Sequence, residues 1–415
     1  MIAISLIFAA LLLLMSVFQV VFPVFFARLL KDRWTGDTSY SPHAAILLAV
    51  RGCDPSLRGS LAELLDQNYP SYEVHIVVDH QTDPAWDLIH QLADSHPKGH
   101  LLNIQVMDSP APTRSLKCHS IIQCVEAVSD NVEVVVLVDA DVTTRPDWLA
   151  TAVAPLCDPE IGAVTGNQWF EPASQSSGTV LRSMWNAGAI ISTVMYRNPW
   201  AGTCAMRLSD VKSSGLVDAW KESVVDDGPI KSCVASLGLK VRFEPALIMV
   251  NREDCSISYV ARYISRMLTW SRLYEANFIN TIIHASLTFA IISGAAILVV
   301  AGVATARFDV ALISSGSLLF FSFATMAGYL MVRSAVNSAL GDVDEKSSSL
   351  PFARTIQLII YAPLIQLLYS ISCLRAMVAR TVLWRQIEYR IEGKEVRMLK
   401  YEPFRATQSE ESFSI

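Results

Sequence analysis

Apolar residues recur along this chain in two rhythms. Four runs are nearly uninterrupted: 2–30, 278–304, 310–331 and 356–374, each close to the ~20 residues that a bilayer core demands. Between the first and second, apolar stretches shorten to five to eight residues and alternate with stretches of helical periodicity. HAAILLAV (43–50), YEVHIVVD (72–79), residues 102–107 and VVVLV (134–138) read as buried strands. Residues 56–67, 84–93 and 116–128 read as helices, and another is expected from Pro146. Strand, helix, strand, helix predicts a mainly parallel sheet, whose ligands bind at the carboxyl ends of the strands.

Composition agrees with this division. A hydrophobic fraction of 52% with 17% charged residues is too apolar for an ordinary soluble enzyme of 415 residues. The expected organisation is an N-terminal anchor (1–33), an α/β domain (34–277), a membrane bundle (278–374) and a basic interfacial helix with a polar tail (375–415). Arg28, Lys31 and Arg33 place the α/β domain on the cytosolic side by the positive-inside rule. If all three late runs crossed, the tail with Arg375, Arg380, Arg385, Arg390, Lys394, Arg397 and Lys400 would lie outside, against the same rule. Pro363 in the last run points to a re-entrant or interfacial stretch with a broken backbone, and Trp384 and Tyr389 to a tail resting on the anionic leaflet. The net charge of -6 decides little, and no basic patch calls for a nucleic-acid partner. Eight cysteines without CxxC or Cys/His spacing exclude a zinc site and fit reduced thiols.

The chemistry lies in the acids. VVVLVDADVTTRPDWL (134–149) delivers Asp139 and Asp141 to a strand end, and Asp79 ends another. Hard Mg²⁺ or Mn²⁺ takes oxygen ligands, a few carboxylates plus phosphate oxygens, and offsets the charge of a departing diphosphate. The plain alternative is a helix N-cap by Asp141. Asp226 and Asp227 open an expected helix over 228–237, either as first-turn acids favourable to its dipole or as a general base. RYISRMLTWSRLYEANF (262–278) reads as an interfacial helix, on which Arg266 and Trp270, four apart, share a face.

Taken in order, QNYPSYEVHIVVDHQTDPAW (67–86), VVVLVDADV (134–142), VVDDGPI (224–230) and RMLTW (266–270) resemble the inverting family 2 glycosyltransferases, and within them the ceramide glucosyltransferase-like branch. The resemblance implies a GT-A fold with transmembrane helices and a UDP-sugar donor held with Mg²⁺ or Mn²⁺. It further implies inverting transfer of one hexose to a membrane lipid. Residue by residue, it implies that Asp79 binds the uridine, that Asp139 lies near ribose and phosphate, that Asp141 ligates the metal and that Asp227 is the base. Arg266 and Trp270 match the outer positions of the Gln/Arg-x-x-Arg-Trp motif; Arg51 and Lys117 fall near the donor. Two positions depart from the pattern. Thr269 replaces the arginine before the tryptophan, leaving a diphosphate contact missing or supplied by Arg272, and Asp226 replaces a glutamate, so that either Asp226 or Asp227 could take the proton. Three other readings compete: a processive polysaccharide synthase of the same family, a Mg-dependent aspartyl-phosphate phosphatase-like enzyme with Asp139 as phosphoryl acceptor, and a non-catalytic scaffold.

Overall fold

In the computed structural model residues 1–341, 351–393 and 395–405 are described. The first half of the chain contains α1 (Ile2–Leu29), β1 (Ala44–Val50), α2 (Leu57–Leu65), β2 (Tyr72–Val78), α3 (Pro84–Ser95), β3 (Leu102–Val106), α4 (Leu116–Ala127), β4 (Val134–Val138), α5 (Trp148–Val153) and β5 (Ile161–Phe170). There follow α6 (Ser177–Tyr196), β6 (Thr203–Arg207), α7 (Leu208–Ser213), α8 (Leu216–Trp220), α9 (Ile230–Ser236), β7 (Lys240–Asn251) and α10 (Ile257–Tyr274). The last elements are α11 (Phe278–Ala304), α12 (Phe308–Leu340), α13 (Phe352–Val378), β8 (Thr381–Trp384), β9 (Ile387–Glu392) and β10 (Glu395–Met398).

They group into two units. One comprises Met1–Asp32, Trp169–Met195 and Arg252–Val378; the other Arg33–Gln168, Tyr196–Asn251 and Ala379–Ile415. In the second, seven strands run in the order β3-β2-β1-β4-β6-β5-β7. β1, β2, β3 and β4 are parallel, while β6 lies antiparallel to β4 and β5. Alternate side chains of a strand face opposite ways, and here both faces are covered: Ile46, Leu48, Val74 and Val136 are buried on one, Leu47, Val77 and Val135 on the other. Truncating one of them to alanine costs roughly 2–4 kcal/mol. Helix starts are set locally: Asp83 accepts from the Ala85 N–H at 2.9 Å ahead of Pro84, and Ser115 from the Cys118 N–H at 3.1 Å.

The other unit is helical. α1, α11, α12 and α13 are long and apolar enough to cross a membrane. α12 and α1 approach closely at Gly328, where a Cβ would meet the Gln19 carbonyl oxygen at 2.1 Å. Leu12, Ile291, Ile292, Ala295 and Phe321 form a buried cluster, while Leu312, Val300 and Ile297 are exposed. The α13 helix differs from the expectation for its run: its backbone continues unbroken through Pro363 for 27 residues, so no re-entrant break exists. It runs beside α10. Arg354 near its start donates to the carbonyls of Pro172 and Ser174, just before α6, and near its end the Met377 carbonyl accepts from Arg272 at 2.8 Å.

A second difference concerns the C-terminus. Residues 379–405 belong to the α/β unit, and in place of the expected interfacial helix β8, β9 and β10 form an antiparallel sheet. The reason is period-two alternation: Ile387, Tyr389 and Ile391 are buried, whereas Glu388, Arg390 and Glu392 face solvent. Of the basic residues counted for the leaflet, Arg390 and Arg397 lie on the outer face of this sheet, while Arg375 belongs to α13 and Arg385 to the turn between β8 and β9. The polar end after Thr407 lies outside the described residues.

Candidate active site

Sheet order places the site. The chain builds β1, β2 and β3 outward in one direction, then crosses to add β4 on the other side of β1, which makes a switch point between β1 and β4. Register puts Val50 beside Val78, and Leu48 beside Val138. The residues that follow these strands, Arg51, Asp79 and Asp139, therefore emerge along one edge. They line a cleft of about 830 Å³, partly open to solvent, together with Lys117, Asp141 and Tyr389.

At one end of the cleft Arg51 Nη1 pairs with Asp79 Oδ2 at 2.5 Å, both side chains nearly buried. The β1–α2 loop is set by Gly52, whose φ of 82° suits glycine. Its N–H donates to Asp83 Oδ2 at 2.7 Å, so the acid that caps α3 also pins this loop. At the other end Lys117, in the first turn of α4, joins two separate parts of the chain. Its Nζ lies 2.5 Å from Asp139 Oδ1 and 2.9 Å from Asp226 Oδ2. Burial alone would lower the Lys117 ammonium, but the two carboxylates against it raise it overall.

Asp226 and Asp227 precede α9 by several residues and cap nothing: Pro229 holds the N-cap position. Their backbone is fixed instead, the Asp226 carbonyl accepting from Trp220 Nε1 at 2.7 Å and the Asp227 carbonyl from the Ile230 N–H at 3.2 Å. Burial raises both carboxyls. Lys117 counteracts this at Asp226, while Asp227, further raised by the neighbouring charge of Asp226, is pushed up to about 7. Nor does Asp141 cap a helix, since α5 begins only at Trp148. Among the described residues no three His, Cys, Asp or Glu side chains form a ready-made metal cage. The chemistry of Asp139 and Asp141 in one cleft still fits a hard divalent ion that completes its shell with a ligand's phosphate oxygens.

Arg266 and Trp270 are placed in the helical unit, on α10, with the Arg266 guanidinium over the Tyr263 ring at 5.7 Å. The substituted Thr269 is buried and donates to the Ser265 carbonyl at 2.8 Å. Sequence reading missed four contributors to the cleft region: Asp54, Arg385, Tyr401 and Phe404. Only Asp54 sits near a residue singled out from the sequence, Arg51.

Comparison with known proteins decides the family. A sequence profile described as Glycosyl transferase family 21 matches residues 8–396. The chain belongs to this family. Glycosyl transferase family 21 is the ceramide glucosyltransferase family, so the protein is a glycosyltransferase that uses a nucleotide sugar. The fold is GT-A: a mannosyltransferase from Pyrobaculum calidifontis, solved with GDP-Man and Mn²⁺, is similar at TM-score 0.50 and 17% identity, over 89% of this chain and 98% of that one. More distant is glucosyl-3-phosphoglycerate synthase from Mycobacterium tuberculosis, at TM-score 0.37 and 13% identity over 58% of this chain and 84% of that one. Family and fold together remove the phosphatase-like reading.

Proposed function

We propose that the protein transfers one hexose, with inversion, from a UDP-sugar to a hydroxyl of a membrane lipid. The observation that carries this is Lys117. Through it the donor-side acid Asp139 is tied to the Asp226–Asp227 pair, so that groups from β4 and from the stretch before α9 share one place. Asp226 is held against the ammonium and serves to position. Asp227, pushed up to about 7, is poised to take the proton of an acceptor hydroxyl near neutral pH. As that proton leaves for Asp227, the hydroxyl oxygen bonds the anomeric carbon on the face opposite the departing UDP, giving inversion without a covalent sugar intermediate.

Asp79 and Arg51 hold the nucleoside end, with Arg266 and Trp270 assigned to the donor by family pattern alone. The metal, Mg²⁺ or Mn²⁺, is assigned to Asp141 with Asp139 beside it and would neutralise the leaving diphosphate. Mn²⁺ in the solved mannosyltransferase supports this.

We place the α/β unit in the cytosol, on the basic residues Arg28, Lys31 and Arg33 at and just after the end of α1. Among the described residues four helices are long and apolar enough to cross, too few to build a channel for a growing polymer, which favours single transfer over a processive synthase.

The test is to give the solubilised protein a panel of UDP-sugars and the host's lipid extract, with and without EDTA. A new glycolipid formed only without EDTA supports the reading. Sugar transfer that persists in EDTA removes the metal, and a soluble polymer as product removes the lipid acceptor.

A further inference from the structure

The C-terminal sheet and the segment after it lie on the nucleoside end of the cleft, where no family motif falls. Arg51 is held by this region through its main chain. Its Nε donates to the Arg385 carbonyl at 2.8 Å and its Nη2 to the Glu402 carbonyl at 2.9 Å, leaving Nη1 for Asp79. Asp79 itself is gripped by the same segment: the Phe404 N–H donates to Oδ2 at 2.9 Å, and the Tyr401 hydroxyl to the Asp79 main-chain carbonyl at 3.1 Å.

Both named contacts on the carboxylate fall on Oδ2. Oδ1, on a residue only 2% exposed that lines the cleft, has no hydrogen-bond partner among the described residues. A buried carboxylate oxygen left without a donor is costly, so this oxygen of a cleft-lining residue has an acceptor position that a ligand N–H would satisfy.

The hairpin that brings Arg385 here is itself unusual. Arg385 and Gln386 form the two-residue turn between β8 and β9, with φ of 47° and 66°. Such turns favour Asn-Gly, and side chains in this conformation at both positions are strained. What Arg385 gains is a fork on Asp54, at 3.2 and 2.7 Å, which clamps the tip beside Arg51.

We propose that Arg385, Glu402 and Phe404 are positioning residues for the donor. They fix Arg51 and Asp79 so that Asp79 Oδ1 accepts an N–H from the edge of a nucleobase. This rests on the donor reading given above and adds to it a part of the chain that no acidic motif marks.

The probe is uridine diphosphate with Mn²⁺, set against Mn²⁺ with pyrophosphate, which has no base. Full-length Phe404→Pro, which lacks the N–H, is compared with Phe404→Ala, which keeps it. The proline variant is expected to bind uridine diphosphate at least tenfold more weakly than the alanine variant, with pyrophosphate binding equal within twofold. Equal affinity for uridine diphosphate, or a parallel loss of both ligands, overturns the proposal. A second variant guards against misfolding at residue 404: Arg385→Asn with Gln386→Gly gives the turn its favoured residues while removing the clamp. It is expected to melt no lower than the unaltered protein and to bind uridine diphosphate at least threefold more weakly; unchanged binding overturns the clamp. Unaltered protein that binds pyrophosphate but no uridine diphosphate defeats the donor reading itself, a result separate from any difference between variants.

Discussion

The two ends of the cleft treat their charges in opposite ways. At the nucleoside end one acid meets one base: Asp79 and Arg51 are paired, almost buried, and tied by main-chain groups. At the end proposed for transfer, Asp139 and Asp226 share the single ammonium of Lys117, and Asp227, next to Asp226 in the chain, feels its charge. The first arrangement is balanced and fixes a direction. The second is buried and short of positive charge, and burial first, then the neighbouring charge of Asp226, pushes the Asp227 carboxyl up to about 7. The proposed transfer from a nucleotide sugar requires such a division, with holding at one end and proton exchange at the other.

This contrast can be broken or sharpened in steps. The largest effect is expected from Lys117→Met, which leaves Asp139 and Asp226 without their shared cation. Removing one partner of a buried pair costs about 3 kcal/mol, on the order of a hundredfold in the folding equilibrium, read by denaturant titration at pH 8. The loss should shrink as pH falls and the acids protonate; a loss independent of pH would show that the lysine matters for packing alone.

Next is the pH profile. Because the Asp227 carboxyl is raised and the ionised form is the base, kcat/KM should fall as pH drops below about 7, tenfold per unit once protonation dominates. A flat profile down to pH 5 would place the base elsewhere. The smallest effect belongs to the holding end: Asp79→Asn keeps the shape but loses a charge-assisted bond, raising donor KM by roughly tenfold with little change in kcat. A fall in kcat alone would erase the distinction between the ends.

Much of this could be read along the chain. The alternation of short apolar runs with helical stretches located β1 to β4, and Asp79, Asp139 and Asp141 stood out because each lies within a few residues of a strand end. Hydrophobic length likewise located α11 to the residue. Three things escaped. Asp226–Asp227 looked like a helix start, since one sequence cannot show that Lys117 lies across from them. The long strands β5 and β7 were also not read, although Asp158–Pro159, Glu171–Pro172 and Gly238 punctuate their boundaries. The role of the C-terminus was hidden because its basic residues dominate composition, whereas its alternation over 387–392 spans only six residues. Arg385 and Gln386 in a tight turn run against turn preference, so no local rule could have found the hairpin.

The central claim is that binding and proton transfer reside in different carboxylates of one cleft, and Asp227→Asn tests it most directly when donor affinity and turnover are measured on the same preparation. The account predicts uridine diphosphate sugar affinity within about threefold of the unaltered protein, with kcat lower by roughly 10² to 10⁴. Turnover at the unaltered rate, or donor binding lost along with it, would contradict the account.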